Sequence, residues 1–370
     1  MAATDFAALS AAQKKVWAAE IWKAGTDQNF WMSNGFVSTG MNTPIQRVTD
    51  LTETERGSIV AIQLVSEMQE DGVVGDNMLT GNEEPLFNDL QEIRIDLLRH
   101  GTRSKGRMSE QKTVIVFRQT AREKLGFWIG DKLDELMFLT ASGVSYNFRL
   151  DGTTRPGTSQ LPSLAFAADV TAPSSGREFF AGAATSTATL TAADKMTWNL
   201  LVSAQAYAKR KRMRPIRSGG RDYYAVVMST EQARDLKTDP NYQTVVSRAG
   251  PRGDTNPLFR GALAVVDGLV LYDHQKVRTT LGLATGFRWG AGGTIHGAQA
   301  LLMGAQALAF ATIGQTMFEE AEVTDYRNRP GLSVGRMIGM LKPAYKSIYD
   351  NNTRQDFGVL SIYTAAGATV

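Results

Sequence analysis

The chain has 370 residues, 43% hydrophobic and 21% charged, with no cysteine and a formal net charge of +3. That length exceeds the roughly 250–300 residues one core serves, so two lobes are expected, and a net charge this small does not point to nucleic acid by itself. Without cysteine there is no disulfide framework, thiolate metal site or cysteine nucleophile; there is also no apolar run long enough to span a membrane and no secretory signal pattern, so synthesis in a reducing cytosol is expected.

Residues 10–24 predict a short helix. Ser10 and Gln13 have capping-box spacing, Trp17 and Ile21 fall one turn apart with Trp22 beside them, and Gly25 offers a stop. Phe30, Trp31 and Phe36 follow. An arm this slight cannot hide two tryptophans by itself, so Trp17 and Trp22 must dock on their own chain or on a neighbour. Next, Val60, Ile62 and Leu64 alternate with Ala61 and Gln63, and Ile93, Ile95 and Leu97 alternate with polar residues on the return. Period two predicts a hairpin of half-buried strands. The 69–87 stretch between them is longer than compact domains usually allow, so it reads as an extended loop.

The charge here is lopsided. Glu67, Glu70, Asp71, Asp76, Glu83, Glu84, Asp89 and Glu92 fall in a span, 63–92, that has no lysine or arginine. Arg99, Arg103, Lys105 and Arg107 follow at once, with His100 among them. The two segments either pair, within a molecule or between neighbours, or are separately solvated. Exposed pairs are worth only ~0.2–1 kcal/mol each.

Residues 109–141 carry the strongest helix signal: Ser109 as N-cap, apolar residues from Val114 to Leu139 at steps of three or four, and Gly143 as stop. Such a helix would be roughly 50 Å long, a structural spine. Gly126 and Gly130, four apart, either let another backbone approach or are weak points costing ~1 kcal/mol each. Residues 151–190 are rich in Gly, Ala, Ser, Thr and Pro and read as an irregular connection between lobes. Beyond it the sequence predicts a helix from Thr191 to about Lys209, a strand at 223–228, a helix capped by Ser229, and a hairpin at 263–272 turning on Asp267-Gly268. Apolar stretches at 300–313, 336–345 and 357–363 predict returning strands packed beside the spine.

Chemical motifs are absent. Gly331-Leu332-Ser333-Val334-Gly335 has the nucleophile-elbow pattern, but His100, His274 and His296 all precede Ser333, whereas that elbow's histidine follows the serine. A glycine-flanked strand or turn is the better reading. Gly290-Ala291-Gly292-Gly293 lacks the Gly-Lys-Ser/Thr of a phosphate loop. The run Lys209, Arg210, Lys211, Arg212, Arg214, Arg217, Arg221 puts seven cations in thirteen residues. It is either a phosphate-facing patch or a solvated helix end complementing the dipole.

Several segments together resemble a known family: Thr43-Pro44-Ile45-Gln46, Gly81-Asn82-Glu83-Glu84, Leu98-Arg99-His100, Lys105-Gly106-Arg107-Met108-Ser109-Glu110-Gln111 and Leu133-Asp134-Glu135. The chain is similar to tailed-phage major capsid proteins of the HK97-like fold, in the N-four-like phage branch. The resemblance implies an α+β chain with an N-terminal arm (1–50), an extended E-loop (51–108), a spine helix of the peripheral domain (109–145), an irregular connection (146–190), an axial domain (191–298), and returning strands of the peripheral domain with the C-terminus (299–370). It implies self-assembly into hexamers and pentamers of an icosahedral shell around double-stranded DNA, bound without sequence specificity. Separate scaffolding, portal and decoration proteins are implied partners, and no membrane, cofactor, metal or catalytic residue. The place is the virion, after assembly in the host bacterial cytoplasm. The flap has no lysine in 63–92, so the type member's lysine cross-link is not expected there. The chain reaches the arm at once, so any scaffold is expected to be a separate protein.

Placed on this sequence, the inter-subunit contacts would be Glu67, Glu70, Asp71, Asp76, Glu83 and Glu84 against Arg99, Arg103, Lys105 and Arg107, with Trp17 and Trp22. The DNA-facing set would be Lys209, Arg210, Lys211, Arg212 and Arg214. Two competing readings are a cargo-holding nanocompartment shell of the same fold and a soluble oligomeric α+β enzyme.

Overall fold

A computed structural model describes residues 11–49, 59–65, 71–84, 88–112, 116–249, 262–321, 328–347 and 353–367. The amino-terminal part holds α1 (Ala11–Gln28), the single turn α2 (Phe30–Ser33), β1 (Val37–Ser38) and β2 (Ile45–Val48). The hairpin β3 (Ile59–Val65) and β4 (Asn88–Arg94) runs on into β5 (Asp96–Arg103), then the short α3 (Arg107–Gln111) and the long α4 (Phe117–Ser142). The middle comprises β6 (Glu178–Phe180), α5 (Trp198–Arg210), β7 (Ile216–Ser218), β8 (Arg221–Met228), α6 (Thr230–Thr238), α7 (Pro240–Ala249), β9 (Ala264–Val266) and β10 (Leu269–Asp273). Last come β11 (Gly297–Met303), β12 (Leu308–Ala321), β13 (Gly331–Leu341), β14 (Ala344–Ser347), β15 (Thr353–Asp356) and β16 (Val359–Ala365).

Two sheets organise these elements. One has five strands in the order β1-β2-β12-β13-β5; the other has the path β6-β16-β11-β8-β10-β9, with β7 paired to β8. The second sheet is buried on both faces. Tyr224, Val226, Met228, Leu269, Leu271, Ala300 and Leu302 pack with Leu201, Ala204 and Leu236 of α5 and α6. Ala225, Val227, Val270, Tyr272, Leu301 and Met303 face the core shared with α4. Strand alternation therefore delivers apolar side chains to both sides, which gives the continuous apolar runs seen in the sequence.

The structure changes several sequence expectations. α4 begins at Phe117, not Ser109, and its 26 residues span about 39 Å. The run Thr113-Val114-Ile115-Val116 is β-branched throughout and favours helix poorly, and Val116 is extended at the N-cap with no side-chain cap. Gly143 does close the helix, in the left-handed conformation. The α4 residues from Leu136 to Ser142 are all buried, since both sheets pack around this end. α5 starts at Trp198 because Thr197 is its cap; Thr191 instead forms a turn with Asp194. The expected connection 151–190 contributes β6, which pairs in parallel with β16.

The returning strands also divide. β12 and β13 join the five-stranded sheet, whereas β11 and β16 join the seven-stranded one. The 300–313 run breaks at Gly304–Ala307, with Gln306 at φ 55. Asp267 (φ 51) and Gly268 (φ 77) form the expected tight turn between β9 and β10.

Gly25 does not end α1. It sits inside the helix where α1 and α4 cross, side by side in the same direction: Glu20 pairs with Arg122, and a Cβ on Gly130 would lie 2.5 Å from the Gly25 carbonyl oxygen. Gly25 is thus selected for close approach rather than for a cap.

Candidate assembly surface

Among the described residues, the flap is anchored at its base. In β3 and β4, Val60 pairs with Ile93 and Ile62 with Gln91. Val60, Ile93 and Ile95 pack with Val48, Ala309, Ala311 and Leu341 on one face of the five-stranded sheet. Gln91 and the backbone of Ala344 exchange hydrogen bonds there. The expected alternation through Leu97 does not hold. β4 gives way to β5 at Ile95, so Leu98 turns inward and Leu97 is exposed.

Residues 71–84 stand clear of this base. A Cβ on Gly72, Gly75 or Gly81, all at positive φ, would meet nothing within 4 Å. Val74, Met78 and Leu79 are 79%, 76% and 60% exposed. Asp71, Asp76 and Glu83 are exposed and Glu84 is half-buried. Glu67 and Glu70 lie outside the described residues.

The basic segment follows the flap along β5, the last strand of its sheet. Arg99, Arg103, Lys105 and Arg107 are all exposed. A groove of about 530 Å³ separates β5 from α4. Ala121 and Leu125, both buried, lie at its floor with Phe117, while Arg103, Lys105 and Lys124 line its rim. His100 stacks on Trp128 at 4.4 Å between ring centroids. Charge and apolar surface are thus offered together, the combination that an acidic, apolar-tipped segment would match.

The two tryptophans find partners on their own chain, one of the two dockings open to them, and both stay half-buried. Trp17 lies 5.7 Å from Phe318, under the Arg122 guanidinium at 4.9 Å. Trp22 carries the Arg336 guanidinium 3.7 Å from its ring centroid. Arg336 is 6% exposed and donates to Thr316 at 2.9 Å. Burial, and next the charge of Arg47, bring Arg336 down to about 10. The ring therefore compensates a cation that water cannot reach.

The basic run is mixed. Lys209 and Arg210 occupy the last turn of α5, where they complement its dipole. Arg210 and Lys211 sit over Tyr207 at 5.2 and 5.8 Å. Arg214 donates to Gln306 at 2.9 Å and Arg217 pairs with Asp222 at 3.2 Å. Lys209, Arg210, Arg212 and Arg214 are exposed and Lys211 is half-buried. Ser333 is a β13 residue opposite Gly101, on the face away from His100. No group of three or more metal-ligating side chains occurs among the described residues, and none of their helices is long and apolar enough to cross a membrane.

The family model described as phage capsid protein matches residues 2–368. The chain belongs to the phage capsid protein family. It is 42% identical to the major capsid protein of Pseudomonas phage KPP25, over 98% of both chains. The capsid of Ralstonia phage GP4 has a similar structure, with a TM-score of 0.78, 28% identity and 92% of each chain covered. The capsid of Cyanophage Pam1 has the same fold at a TM-score of 0.69 and 18% identity, covering 100% of this chain and 97% of that one. The fold is HK97-like and α+β, and the function is that of a phage major capsid protein. Copies of the chain are therefore its partners in a shell, and its place is the virion capsid.

The acidic flap and the basic strand are legible in the sequence; the pairing of Arg336 with Trp22 and the packing of His274 against Phe30 and Phe138 are not. One signal was available: an arginine inside the apolar run of β13 needs a partner.

Proposed function

We propose that this capsid protein closes into hexamers and pentamers of an icosahedral shell around double-stranded DNA. The observation that carries the reading is the flap. Residues 71–84 combine exposed Val74, Met78 and Leu79 with Asp71, Asp76 and Glu83, and stand away from their own subunit. A neighbour's basic segment, running from Arg99 and Arg103 of β5 through Lys105 to Arg107 at the start of α3, has the complementary charge. Flap to strand is a heterologous contact, which closes into rings when the rotation allows. Lys209, Arg210, Lys211, Arg212 and Arg214 would supply non-specific phosphate contacts, weakened by salt. Scaffolding, portal and decoration proteins would be separate chains. Assembly in the host cytoplasm and membership of the N-four-like branch belong to the same proposal.

The test reverses charge on one side. Arg103→Glu with Arg107→Glu should leave the circular dichroism of the subunit unchanged and abolish shells in electron micrographs. Asp76→Lys with Glu83→Lys, mixed with that variant, should restore some assembly. Normal shells from the arginine variant alone would end the flap-to-β5 contact, and discrete small oligomers from the unaltered chain would end the shell itself.

A further inference from the structure

The amino-terminal arm, α4 and the seven-stranded sheet meet at one point, where a buried carboxyl, Asp134, lies near the half-buried His274 and Lys276. Asp134 of α4 is 3% exposed, and both its oxygens accept the Phe30 N–H of α2, at 3.0 and 3.1 Å. Asn29, the N-cap of α2, donates to the Gly130 carbonyl at 3.4 Å. Lys276, just beyond β10, places its Nζ 3.7 Å from Asp134 and 2.7 Å from the exposed carboxylate of Asp131. His274 lies face to face with Phe138 of α4 at 5.1 Å and 4.6 Å from Phe30. Its Nδ1 accepts the Lys276 N–H at 3.2 Å. Asp273 precedes it at the end of β10, and α2 itself carries no ionisable side chain.

The geometry sets these two groups against each other. A carboxyl removed from water takes a proton more readily, and burial raises Asp134 to about 6 against the Phe30 N–H and Lys276. An imidazole packed against two phenyl rings, whose Nδ1 lone pair is already engaged and whose neighbour is an ammonium, resists a proton. His274 is lowered to about 4, by burial first and Lys276 second, with Asp273 opposing.

We propose that this junction is proton-balanced: as the medium turns mildly acidic, the folded chain takes a proton on Asp134 where the unfolded chain takes one on His274, so the arm stays latched to spine and sheet. The signs are opposite. The folded-state value of Asp134 lies above 3.8, so its contribution favours folding increasingly as pH falls through about 6. The folded-state value of His274 lies below 6.5, so its contribution is lost as pH falls from 6.5 toward about 4. Between pH 7 and 4.5 these amount to about 25-fold for folding and about 60-fold against it, opposite in sign and of the same order, so they largely offset each other.

The test compares the full-length unassembled subunit with Asp134→Asn, His274→Gln and the double variant. Urea unfolding at pH 7 and 4.5 gives the folding equilibrium, and hydrogen exchange of the Phe30 amide gives the local latch. Relative to wild type, acid should shift Asp134→Asn toward the unfolded state by about 25-fold and His274→Gln toward the folded state by about 60-fold. The double variant should follow wild type within a few-fold, and Phe30 protection should move with each single variant. Single variants that shift the same way, or that both track wild type within about threefold, would overturn the proposal. Should Asp134→Asn fail to fold, the direction of the His274→Gln shift decides alone.

Discussion

Gly126 and Gly130 occupy the same helix four residues apart, yet alanine at the two sites should act in opposite directions. Both substitutions remove a glycine from a helix interior, a gain of up to about 1 kcal/mol. At 126 the new Cβ would sit 3.4 Å from the Ala24 Cβ and 3.4 Å from the Ile21 carbonyl oxygen, ordinary van der Waals contacts. At 130 it would sit 2.5 Å from the Gly25 carbonyl oxygen and 3.2 Å from the Gly25 Cα. That obstacle is backbone, which no rotamer change moves, so α1 must shift by several tenths of an ångström. The shift would strain the Phe30–Asp134 and Asn29–Gly130 hydrogen bonds next to it. Overpacking of this kind costs about 1–3 kcal/mol, enough to outweigh the propensity gain. Urea unfolding of the unassembled subunit should therefore show Gly126→Ala unchanged or up to about 1 kcal/mol more stable, and Gly130→Ala about 1–2 kcal/mol less stable. Equal and same-signed changes at both sites would refute the close-crossing argument.

Trp22→Ala leaves the buried guanidinium of Arg336 without its ring, so a loss of about 2 kcal/mol or more is expected in the same assay. A loss below about 1 kcal/mol would show that the cation–π contact is incidental. Lys342 and Asp356 form a buried ion pair at 2.9 Å, with side chains 0% and 3% exposed. Lys342→Met should cost about 3 kcal/mol by stranding the carboxylate, and adding Asp356→Asn should recover part of it, so a double-mutant cycle measures the coupling.

Local signals in the sequence were reliable where the physics was local. The period-two alternation of the hairpin as far as Ile95, the Asp267-Gly268 turn and the Gly143 stop each depend on residues within a few positions of each other, and the structure has all three. The start of α4 was misplaced because apolar spacing continues through Val114, while the β-branched run at 113–116 disfavours helix. The allocation of the returning strands was not legible either. A strand buried on both faces, like β11, reads as an unbroken apolar run, and nothing in such a run names its neighbours. The surface showed the same division. Acid in the flap and base on β5 stand out as charge blocks. Trp22 with Arg336, Asp134 with Lys276, and His274 with Phe30 and Phe138 are contacts across more than a hundred positions of chain, with no short-range pattern to announce them.

The placement of charge follows from what a shell subunit must keep fixed and what it must leave open. Arg336, Lys342, Asp356 and Arg177 are nearly or fully buried within one subunit. Arg177 donates to the Asp356 carbonyl at 2.8 Å, and Lys342 reaches the Asp356 carboxylate, so a single acid ties together β14–β15, the end of β13 and the turn before β6. Buried ion pairs add little net stability over apolar packing, but breaking one is expensive, so they penalise every arrangement in which the partners do not meet. The flap works in the opposite sense. Asp71, Asp76 and Glu83 keep their hydration, and exposed pairs are worth only about 0.2–1 kcal/mol each. A docking surface built from such pairs, together with the side chains of Val74, Met78 and Leu79, gains strength only as many copies engage at once. Costly interactions therefore define the subunit, and under the proposed docking the weak repeated ones would be left for its neighbours. On that division, raising salt should loosen contacts between subunits well before it alters the subunit fold.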